Sequence, residues 1–171
     1  LRGSGVARDL RRDDPYLLYD ELDFDVITYP EGDTWARYMV RIDEMRESVK
    51  MVKQLLDNEP KGDILLNDPE HVLPKKNEVY TKMEELIQDF MLVNFGAQPE
   101  PGETYTAIES PKGELGFFIV SVGEGHPWKL KIRSPSSANL QGLGPMCEGS
   151  MISDVVAIIG SVDPIMGEAD K

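Results

Sequence analysis

The stretch TWARYMVRIDEMRESVKMVKQLLDN, residues 34–58, decides the architecture that this sequence predicts. Within it, apolar side chains recur at alternating spacings of four and three residues, at Tyr38, Ile42, Met45, Val49, Val52 and Leu56. Because an α-helix has about 3.6 residues per turn, this spacing places all of them on one stripe. Asp33 can cap the N-terminus, and the segment Glu59-Pro60-Lys61-Gly62 ends the pattern. The stretch therefore predicts a long helix that buries one seam in a helix bundle.

A second helical stripe follows a polar loop, which is predicted for residues 61–76. The second helix is expected to begin at Asn77 as its cap and to end at Phe95, before Gly96. Its apolar positions repeat the spacing of the first stripe, at Val79, Met83, Leu86, Phe90 and Val93. Residues 33–96 therefore predict two antiparallel bundle helices, and we expect helices from outside this sequence to complete their seams.

After residue 96 the pattern changes from helical to strand-like. The segment Gln98-Pro99-Glu100-Pro101-Gly102 is rich in helix breakers. Three short strand-like segments follow, at residues 104–109, 115–122 and 128–132. Turns at residues 111–113 and 123–125 separate them. Residues 97–133 are therefore predicted to form a three-stranded antiparallel meander.

The two ends of the chain, residues 1–32 and 134–171, complete the expected organisation of this single fragment. Residues 1–6 form a Gly/Ser loop in which glycine permits turns or close backbone contact. In residues 21–26, apolar and acidic side chains alternate, which predicts a half-buried strand with a solvated or partner-facing acidic side. A hydrophobic helix is expected from about residue 150 to Ile159, broken at Gly160, before a short tail. The predicted fold class is α+β, with long bundle helices and a small meander.

Composition excludes several classes of protein. The 171 residues are 40% hydrophobic, enough for one domain with a core, and the net charge of −13 argues against nucleic acid or anionic membrane surfaces as partners. No apolar run approaches the roughly 20 residues of a spanning helix. Cys147 is the single cysteine, which excludes an internal disulfide or a cysteine-only cluster and suits a reducing compartment. Since the sequence opens at Leu1 without a start methionine, we expect a fragment of a longer chain.

Other ionisable residues are weaker candidates for a site. Three cations, Lys129, Lys131 and Arg133, alternate with apolar residues, so they form either a solvated strand face or a site for an anion or partner. His71 and His126 have no second His or Cys at ligand spacing, so no metal site is predicted. We predict no catalytic residue in this chain, and Cys147 is expected to be a small buried apolar side chain.

The tail Ile158–Glu168, IIGSVDPIMGE, carries the main functional signal. Asp163 directly follows an apolar segment and precedes Pro164. A carboxylate at such a position is a turn-former by default. Alternatively, it is a functional group whose pKa is shifted by apolar burial or which orients a neighbouring proton donor. The sequence leaves both interpretations open.

This tail resembles the C-terminus of the large subunits of nickel–iron hydrogenases of the membrane-bound, complex-I-related type. There an Asp-Pro-Cys-x-x-Cys segment supplies two thiolates to the metal centre, and Ile165 and Glu168 stand at the two cysteine positions. Neither side chain provides the soft sulfur ligand that such a site needs. A retained frame without its thiolates is similar to the D-type subunit family of respiratory complex I, the proton-pumping NADH:quinone oxidoreductase.

The resemblance covers nearly the whole chain. The matching strings are LRGSGV at 1–6, DLR at 9–11, Tyr16 with Tyr19-Asp20, Arg37-Tyr38 with Val40-Arg41, Glu44-Met45, ESPKGE at 109–114 and DVVAIIG at 154–160. They imply the C-terminal portion of a larger fold like that of the hydrogenase large subunit. Departures from the family pattern leave the electron donor open: Arg8 replaces a usual Trp, 136–141 lack a frequent Phe and His, 163–164 match the hydrogenase form, and the end reads EADK rather than EVDR.

The resemblance implies a quinone-reducing subunit that couples electron transfer to proton translocation. By that implication Asp163, Ile165, Met166 and Gly167 line the quinone head-group pocket, and Asp163 tunes or relays protons to a His and a Tyr outside this sequence. No cofactor is implied for this chain itself. Quinone is the substrate, and a 4Fe-4S cluster lies in a partner subunit.

The implied partners are the small iron–sulfur (B-type) subunit, the C-type subunit and the membrane quinone-channel (H-type) subunit. The implied location is peripheral, on the cytoplasmic, matrix or stromal face of an energy-transducing membrane, and the isolated fragment is expected to be inactive. Three alternatives remain. The chain is a non-catalytic assembly module of the same complex, a relative with another electron donor, or a hydrogenase-like large subunit, which would require cysteine at positions 165 and 168.

Overall fold

The computed structural model describes residues 1–66 and 68–170 and has an α+β architecture. After a 3-10 turn at Arg2–Ser4, the elements are α1 (Leu10–Asp13), α2 (Thr34–Asp57), α3 (Lys76–Val79), α4 (Met83–Phe95), β1 (Gly102–Ser110), β2 (Gly113–Ser121), β3 (Lys129–Arg133), α5 (Pro135–Leu140), α6 (Leu143–Cys147), α7 (Asp154–Val162) and α8 (Met166–Ala169). Two positions of the predicted organisation, Asn67 in the loop and Lys171 in the tail, lie outside the described residues.

The chain divides into two compact units. The first unit contains residues 1–59, 106–116 and 132–170. The second unit contains residues 60–66, 68–105 and 117–131. The predicted tail residues therefore belong to the first unit.

The core of the described residues lies in the first unit. Its buried apolar side chains are Leu10, Leu22, Phe24, Ala36, Val40, Met51, Ile158 and Val162. Leu22, Phe24 and Met51 form one cluster, and Tyr19 packs against it. The Arg12 guanidinium lies 4.1 Å from the centre of the Phe24 ring, so a cation also covers this cluster.

The prediction of a strand at residues 21–26 is wrong. The alternation is present, because Leu22 and Phe24 are buried while Asp23 and Asp25 are exposed. However, the backbone of this segment bonds to side chains of α2 instead of another strand. The Asp23 N–H donates to Gln54 Oε1 at 2.9 Å, and the Asp25 N–H donates to Glu47 Oε2 at 3.1 Å. Alternating hydrophobicity reports an extended segment with one buried side, and it does not specify the hydrogen-bond partner.

Helix α2 begins where the sequence predicts, but it buries a different face. Asp33 caps it, since Asp33 Oδ1 accepts from the Ala36 N–H at 2.7 Å. The residues buried along α2 are Ala36, Val40 and Met51. The predicted seam is largely exposed, with side chains 52–67% exposed at Tyr38, Met45, Val49, Val52 and Leu56. This chain therefore leaves the stripe uncovered, and completion of the seam by helices from outside this sequence stays a prediction.

The opening Gly/Ser loop packs closely on α2, as expected for its glycines. A Cβ atom on Gly3 would lie 2.9 Å from Arg37 Cγ and 3.3 Å from Arg37 Cα. Gly5 has φ 82°, a left-handed conformation that side chains disfavour. Glycine at these two positions therefore allows the N-terminal turn to lie against the helix.

The second predicted helix is divided in two. Residues 80–82 separate α3 from α4, and Asn77 lies inside α3 instead of capping it. The Thr81 hydroxyl donates to the Asn77 carbonyl at 3.0 Å and also lies within bonding distance of the Glu78 carbonyl. The break lies at Lys82, whose backbone is extended at φ −126° and ψ 135°, and the preceding hydroxyl contact only weakens the helical hydrogen-bond ladder. The predicted end is confirmed, because Gly96 at φ 66° donates its N–H to the Leu92 carbonyl.

The long helices α2 and α4 belong to different units. Their antiparallel pairing therefore stays a prediction. Helix α4, like α2, carries its apolar positions on the surface, at Met83, Leu86, Phe90 and Val93.

The predicted meander is confirmed as a three-stranded antiparallel sheet in the order β1-β2-β3. Each strand boundary lies within about two residues of its predicted position, the accuracy expected of such boundaries. All five residues of β3 are exposed, so its apolar and cationic sides both face outward within this chain.

Helix α7 runs further than predicted. It spans Asp154–Val162 and continues through Gly160, because Ser161 and Val162 are buried and extend its packed face. Within residues 1–66 and 68–170, none of the helices combines the length and hydrophobicity that a membrane span requires.

Candidate functional site

The four predicted site residues lie in the turn 163–167, which runs from the C-terminal cap of α7 into the first residues of α8. Helix α7 ends at Val162, and its C-terminal cap, Asp163, has φ 54° and ψ 55° and donates its N–H to the Ile159 carbonyl at 3.0 Å. Aspartate is among the few side chains that tolerate this left-handed conformation. Asp163 therefore does form the turn, and Ile165, Met166 and Gly167 follow it at the start of α8.

The Asp163 carboxylate faces a cation. Lys112, in the turn between β1 and β2, donates from Nζ to Asp163 Oδ2 as an ion pair. The Asp163 side chain is 48% exposed and that of Lys112 is 22% exposed. Within this chain the surroundings of Asp163 are therefore a cation and solvent, and the expected apolar burial is absent from the described residues.

Lys112 is itself held in place through its backbone. Its carbonyl accepts from Asn139 Nδ2 at 2.9 Å, and its N–H donates to Ser110 Oγ at 3.3 Å. Gly113, which follows it, has φ 129° and lies against Pro135 of α5. The turn that carries the lysine is therefore tied to α5.

Exposed apolar side chains follow Asp163 within a few residues of the chain. Ile165 is 50% exposed and Met166 is 70% exposed. Met166, Gly167, Ala169 and Asp170 line a shallow hollow of about 450 Å³. The side chains of Ile165 and Met166 are therefore accessible, and their role as site residues stays a prediction.

The last turn of α7 is fixed to α2 by Arg37. The Arg37 guanidinium donates from Nε to Ser161 Oγ at 2.8 Å and from Nη1 to the Gly32 carbonyl at 2.8 Å. Ser161 in turn donates to the Ile158 carbonyl at 2.7 Å. Burial lowers the pKa of Arg37, opposed by the charge of Asp33. This contact holds the last turn of α7 against α2, and it therefore helps to set the position of Asp163, two residues later.

Two serines of α5 hold α8. Ser136 is 1% exposed, donates to Glu168 Oε2, and accepts from the Ile165 N–H at 3.2 Å. Ser134, the cap of α5, is also buried and donates to the Glu168 carbonyl at 3.1 Å. Glu168 therefore makes a carboxylate–hydroxyl contact with a buried serine.

The other candidates from the sequence have partners of their own. Arg133 donates from Nη1 to the Glu114 carbonyl at 2.6 Å, so it serves a contact within the first unit. In the second unit, His71 Nδ1 lies 2.7 Å from Asp68 Oδ2, and this hydrogen bond lowers the pKa of the Asp68 carboxyl. Cys147 is partly buried.

Two further observations concern ligands. In residues 1–66 and 68–170, no group of three or more His, Cys, Asp or Glu side chains comes together as a metal site would need. The second unit contains an open hollow of about 750 Å³, whose lining includes His71, Gln88, Met91, Phe95 and Ile119.

Comparison with known families identifies the chain. The profile described as "Respiratory-chain NADH dehydrogenase, 49 Kd subunit" matches residues 1–171. The chain belongs to this family. The resemblance seen in the sequence, to the D-type subunits of complex I, is thereby confirmed.

Relatives in this D-type family match over the whole chain. This chain is 57% identical over 171 residues to a D-type NADH-quinone oxidoreductase subunit of Chloroherpeton thalassium. It is 52% identical over 172 residues to the corresponding subunit of Salinibacter ruber. It is 54% identical over 171 residues to that of Methylacidiphilum infernorum. Each match covers 100% of this chain but only 39%, 38% and 41% of the relative. The chain therefore spans about two fifths of the length of these relatives.

Reasoning from the sequence missed two members of the candidate site in this D-type chain. Lys112 lies in a Pro-Lys-Gly turn, where a lysine is usually only a solvated surface charge. Ser136 lies in a small-residue segment with no motif around it. The positions of Lys112 and Asp163 are 51 residues apart, so only the folded chain brings them into contact.

Proposed function

We propose that this chain is part of the quinone-reducing subunit of a complex-I-type NADH:quinone oxidoreductase and that its turn 163–167 lines the quinone head-group pocket. The observation that carries the proposal is the Lys112–Asp163 ion pair beside the accessible side chains of Ile165 and Met166. Membership of the family supports a role in an oxidoreductase complex. The pocket, its chemistry and its neighbours are our proposal.

The chemistry of quinone reduction fits a cation and a carboxylate side by side. Reduction of a quinone to a quinol adds two electrons and two protons, and negative charge develops on the carbonyl oxygens. A fixed ammonium group such as that of Lys112 stabilises this charge. Asp163 holds the ammonium in position, and we propose that it also tunes or relays protons to a His and a Tyr outside this sequence.

Apolar side chains beside the polar pair suit the rest of the head group. Ligand pockets combine mostly apolar walls with a few placed polar groups. Ile165 and Met166 provide apolar surface next to Asp163, and Gly167 adds backbone without a side chain. We propose that the missing walls come from the rest of the subunit and from its partners.

The exposed helix seams support assembly into a larger body. Helices α2 and α4 leave rows of apolar side chains uncovered within this chain. We propose that helices of the longer subunit complete a fold like that of the hydrogenase large subunit. Three partner subunits would complete the surroundings: the B-type iron–sulfur subunit, the C-type subunit and the membrane H-type subunit. The 4Fe-4S cluster of the B-type subunit would donate electrons to quinone. Proton translocation would be coupled to quinone reduction at the membrane face.

The main alternative is a non-catalytic assembly role in the same complex. The same exposed seams favour it, because they require covering whether or not the tail binds quinone. A relative with another electron donor would retain the same pocket. A hydrogenase-like activity has less support, because Ile165 and Glu168 stand where that chemistry needs thiolates.

The test is Asp163→Asn in the full-length subunit, measured in the assembled complex. We expect binding of a quinone-site inhibitor to weaken and quinone turnover to fall by at least about tenfold, because the carboxylate that holds Lys112 loses its charge. Asp20→Asn, an exposed change outside this turn and outside the hollow that Met166 lines, is the matched control. Normal turnover and normal inhibitor binding in an assembled Asp163→Asn complex would reduce this chain to a scaffold. The isolated chain is expected to reduce no quinone.

A further inference from the structure

The turn that carries the proposed quinone-site residues has its own anchor in α5. Ile165 is the N-terminal cap of α8, and its N–H donates to Ser136 Oγ at 3.2 Å. The same hydroxyl donates to Glu168 Oε2, one turn later in α8. One buried hydroxyl therefore contacts both ends of the segment that presents Ile165, Met166 and Gly167.

The burial of this hydroxyl makes its contacts significant. Ser136 is 1% exposed, so its hydroxyl has exchanged water for protein partners. A buried polar group that loses its partner is left without any hydrogen bond in place of those it made to water, so the arrangement resists rearrangement. Ser134 adds a second contact by donating to the Glu168 carbonyl at 3.1 Å. We call these contacts, made by Ser134, Ser136, Ile165 and Glu168, the serine clamp.

The Arg37 contact holds the chain before the turn, and the serine clamp holds the chain after it. Arg37 fixes Ser161 before Asp163, and the clamp fixes Ile165 and Glu168 after it. Asp163 itself has φ 54°, a left-handed backbone conformation that residues other than glycine seldom adopt on their own. Contacts on both sides therefore determine the conformation of the turn.

We infer that Ser136 and Glu168 are positioning residues that hold the turn 163–167 in the conformation that binds the quinone head group. The inference rests on the proposed function, and it gives the carboxylate of Glu168 a mechanical role at a position where the hydrogenases place a thiolate. Neither residue needs to touch the substrate. Their effect reaches the substrate through the placement of Ile165 and Met166.

The experiment compares Ser136→Ala with Ser137→Ala in the full-length subunit within the assembled complex. Ser137 is the neighbouring serine, and its backbone N–H contacts Ser134 Oγ, a contact that the change to alanine keeps. In Ser136→Ala we expect hydrogen exchange of peptides covering 163–170 to accelerate, because the Ile165 N–H loses its acceptor. We expect the KM for a short-chain quinone to rise about tenfold while kcat changes less than about twofold, since the turn is misplaced but its chemical groups remain. Ser137→Ala should match the wild type in both measurements.

Glu168 provides a second test in case Ser136→Ala fails to assemble. Glu168→Gln keeps an oxygen that can accept from Ser136, so we expect its KM to stay within about twofold of the wild type. Glu168→Ala loses that oxygen and should reproduce the rise in KM and the faster exchange. A rise in KM of equal size in both variants would overturn the inference, because it would indicate that the negative charge, rather than the clamp, matters.

The two proposals fail in different ways. If Asp163→Asn weakens inhibitor binding but Ser136→Ala alters neither exchange nor KM, the clamp is wrong and the quinone site stands. If Ser136→Ala accelerates exchange while KM and inhibitor binding stay normal in it and in Asp163→Asn, the turn does not bind quinone. That second outcome also overturns the inference, since the clamp then positions no quinone site.

Discussion

At the scale of single residues, Lys112 is the side chain whose role the folded structure changes most. As part of a turn sequence it is a surface lysine, but in the structure its ammonium faces the Asp163 carboxylate. An ion pair this exposed contributes little to stability, about 1 kcal/mol or less. Its position beside the proposed pocket therefore points to chemistry more than to folding.

Replacing Lys112 by Met should separate these two contributions. We expect the unfolding free energy of the subunit to change by less than about 1 kcal/mol, and quinone turnover of the assembled complex to fall by about a hundredfold, because the charge that stabilises the reduced oxygen is lost. Steady-state turnover per assembled complex is the measurement. Lys82→Met, which removes a surface lysine paired with Glu78 and Glu85, is the control. Unchanged turnover would show that Lys112 has no part in the reaction.

Asp9 shows the opposite case, a charged residue that serves the fold. Its side chain is fully buried, caps α1 through the Arg11 N–H, and pairs with the Arg11 guanidinium at 2.6 Å. Burial raises the pKa of Asp9. The hydrogen bonds and charge of Arg11, together with the charge of Arg2, lower it by more than burial raises it, so the net shift is downward. The pair also raises the pKa of Arg11.

The lowered pKa of Asp9 predicts a pH-dependent loss of stability. Because the folded pKa lies below the unfolded value of about 3.9, the unfolded chain takes up the proton first as pH falls. The contribution of Asp9 is therefore complete above that value and is lost as pH falls through the folded pKa. We expect Asp9→Asn to destabilise the subunit by about 3 kcal/mol at pH 7, with the difference from wild type shrinking below pH about 4.

Urea unfolding of the full-length subunit across this pH range measures the effect. Asp20→Asn, at an exposed position of the same segment, should show little difference at any pH. A difference between Asp9→Asn and wild type that stays constant from pH 7 to pH 3 would contradict the prediction.

At the scale of elements, α2 has two apolar faces with different partners. One face, with Ala36, Val40 and Met51, is buried in the first unit. The other face is the stripe that the sequence pattern predicts as a seam, and it is exposed. A helix that is apolar on two sides is typical of the interior of a larger protein. Helix α2 is therefore expected to lie between this chain's own core and a further partner.

The exposed stripe predicts a specific defect in assembly. Val49→Lys places a charge on the stripe, whereas Ser48→Lys places the same charge one residue away on the same helix. Burying an unpaired lysine costs about 3 kcal/mol or more, so we expect Val49→Lys to reduce the yield of assembled complex severalfold. Ser48→Lys should assemble normally. Native gel analysis of the complex measures both, and equal yields would show that the stripe is not an assembly surface.

At the scale of the whole molecule, the net charge and the uneven burial of the two units bear on the proposed assembly into a complex. Its net charge of −13 opposes binding to anionic surfaces and favours partners that carry positive charge. The described core is confined to the first unit, while the second unit keeps its long helix apolar side outward. Much of the burial that stabilises this chain is therefore expected to come from the longer subunit and its partners.

Local patterns were sufficient for several parts of the fold. The cap at Asp33, the helix end at Gly96, the three strands and their order, and the membership of the family all follow from the amino-acid sequence. These features depend on neighbours within a few residues or on a pattern repeated along one segment. Such information is contained in a linear sequence.

Only the tertiary structure decided which faces are buried and which residues meet. The sequence identified the stripe of α2, but the backbone contacts of residues 21–26 and the packing of α7 selected the opposite face for this chain's core. Lys112 reaches Asp163, and Ser136 reaches Ile165 and Glu168, across 51, 29 and 32 residues of chain. The physical reason is that hydrogen bonds and ion pairs act over a few ångströms in space, whatever the separation along the chain, so the sequence named Asp163 while the fold supplied its partner.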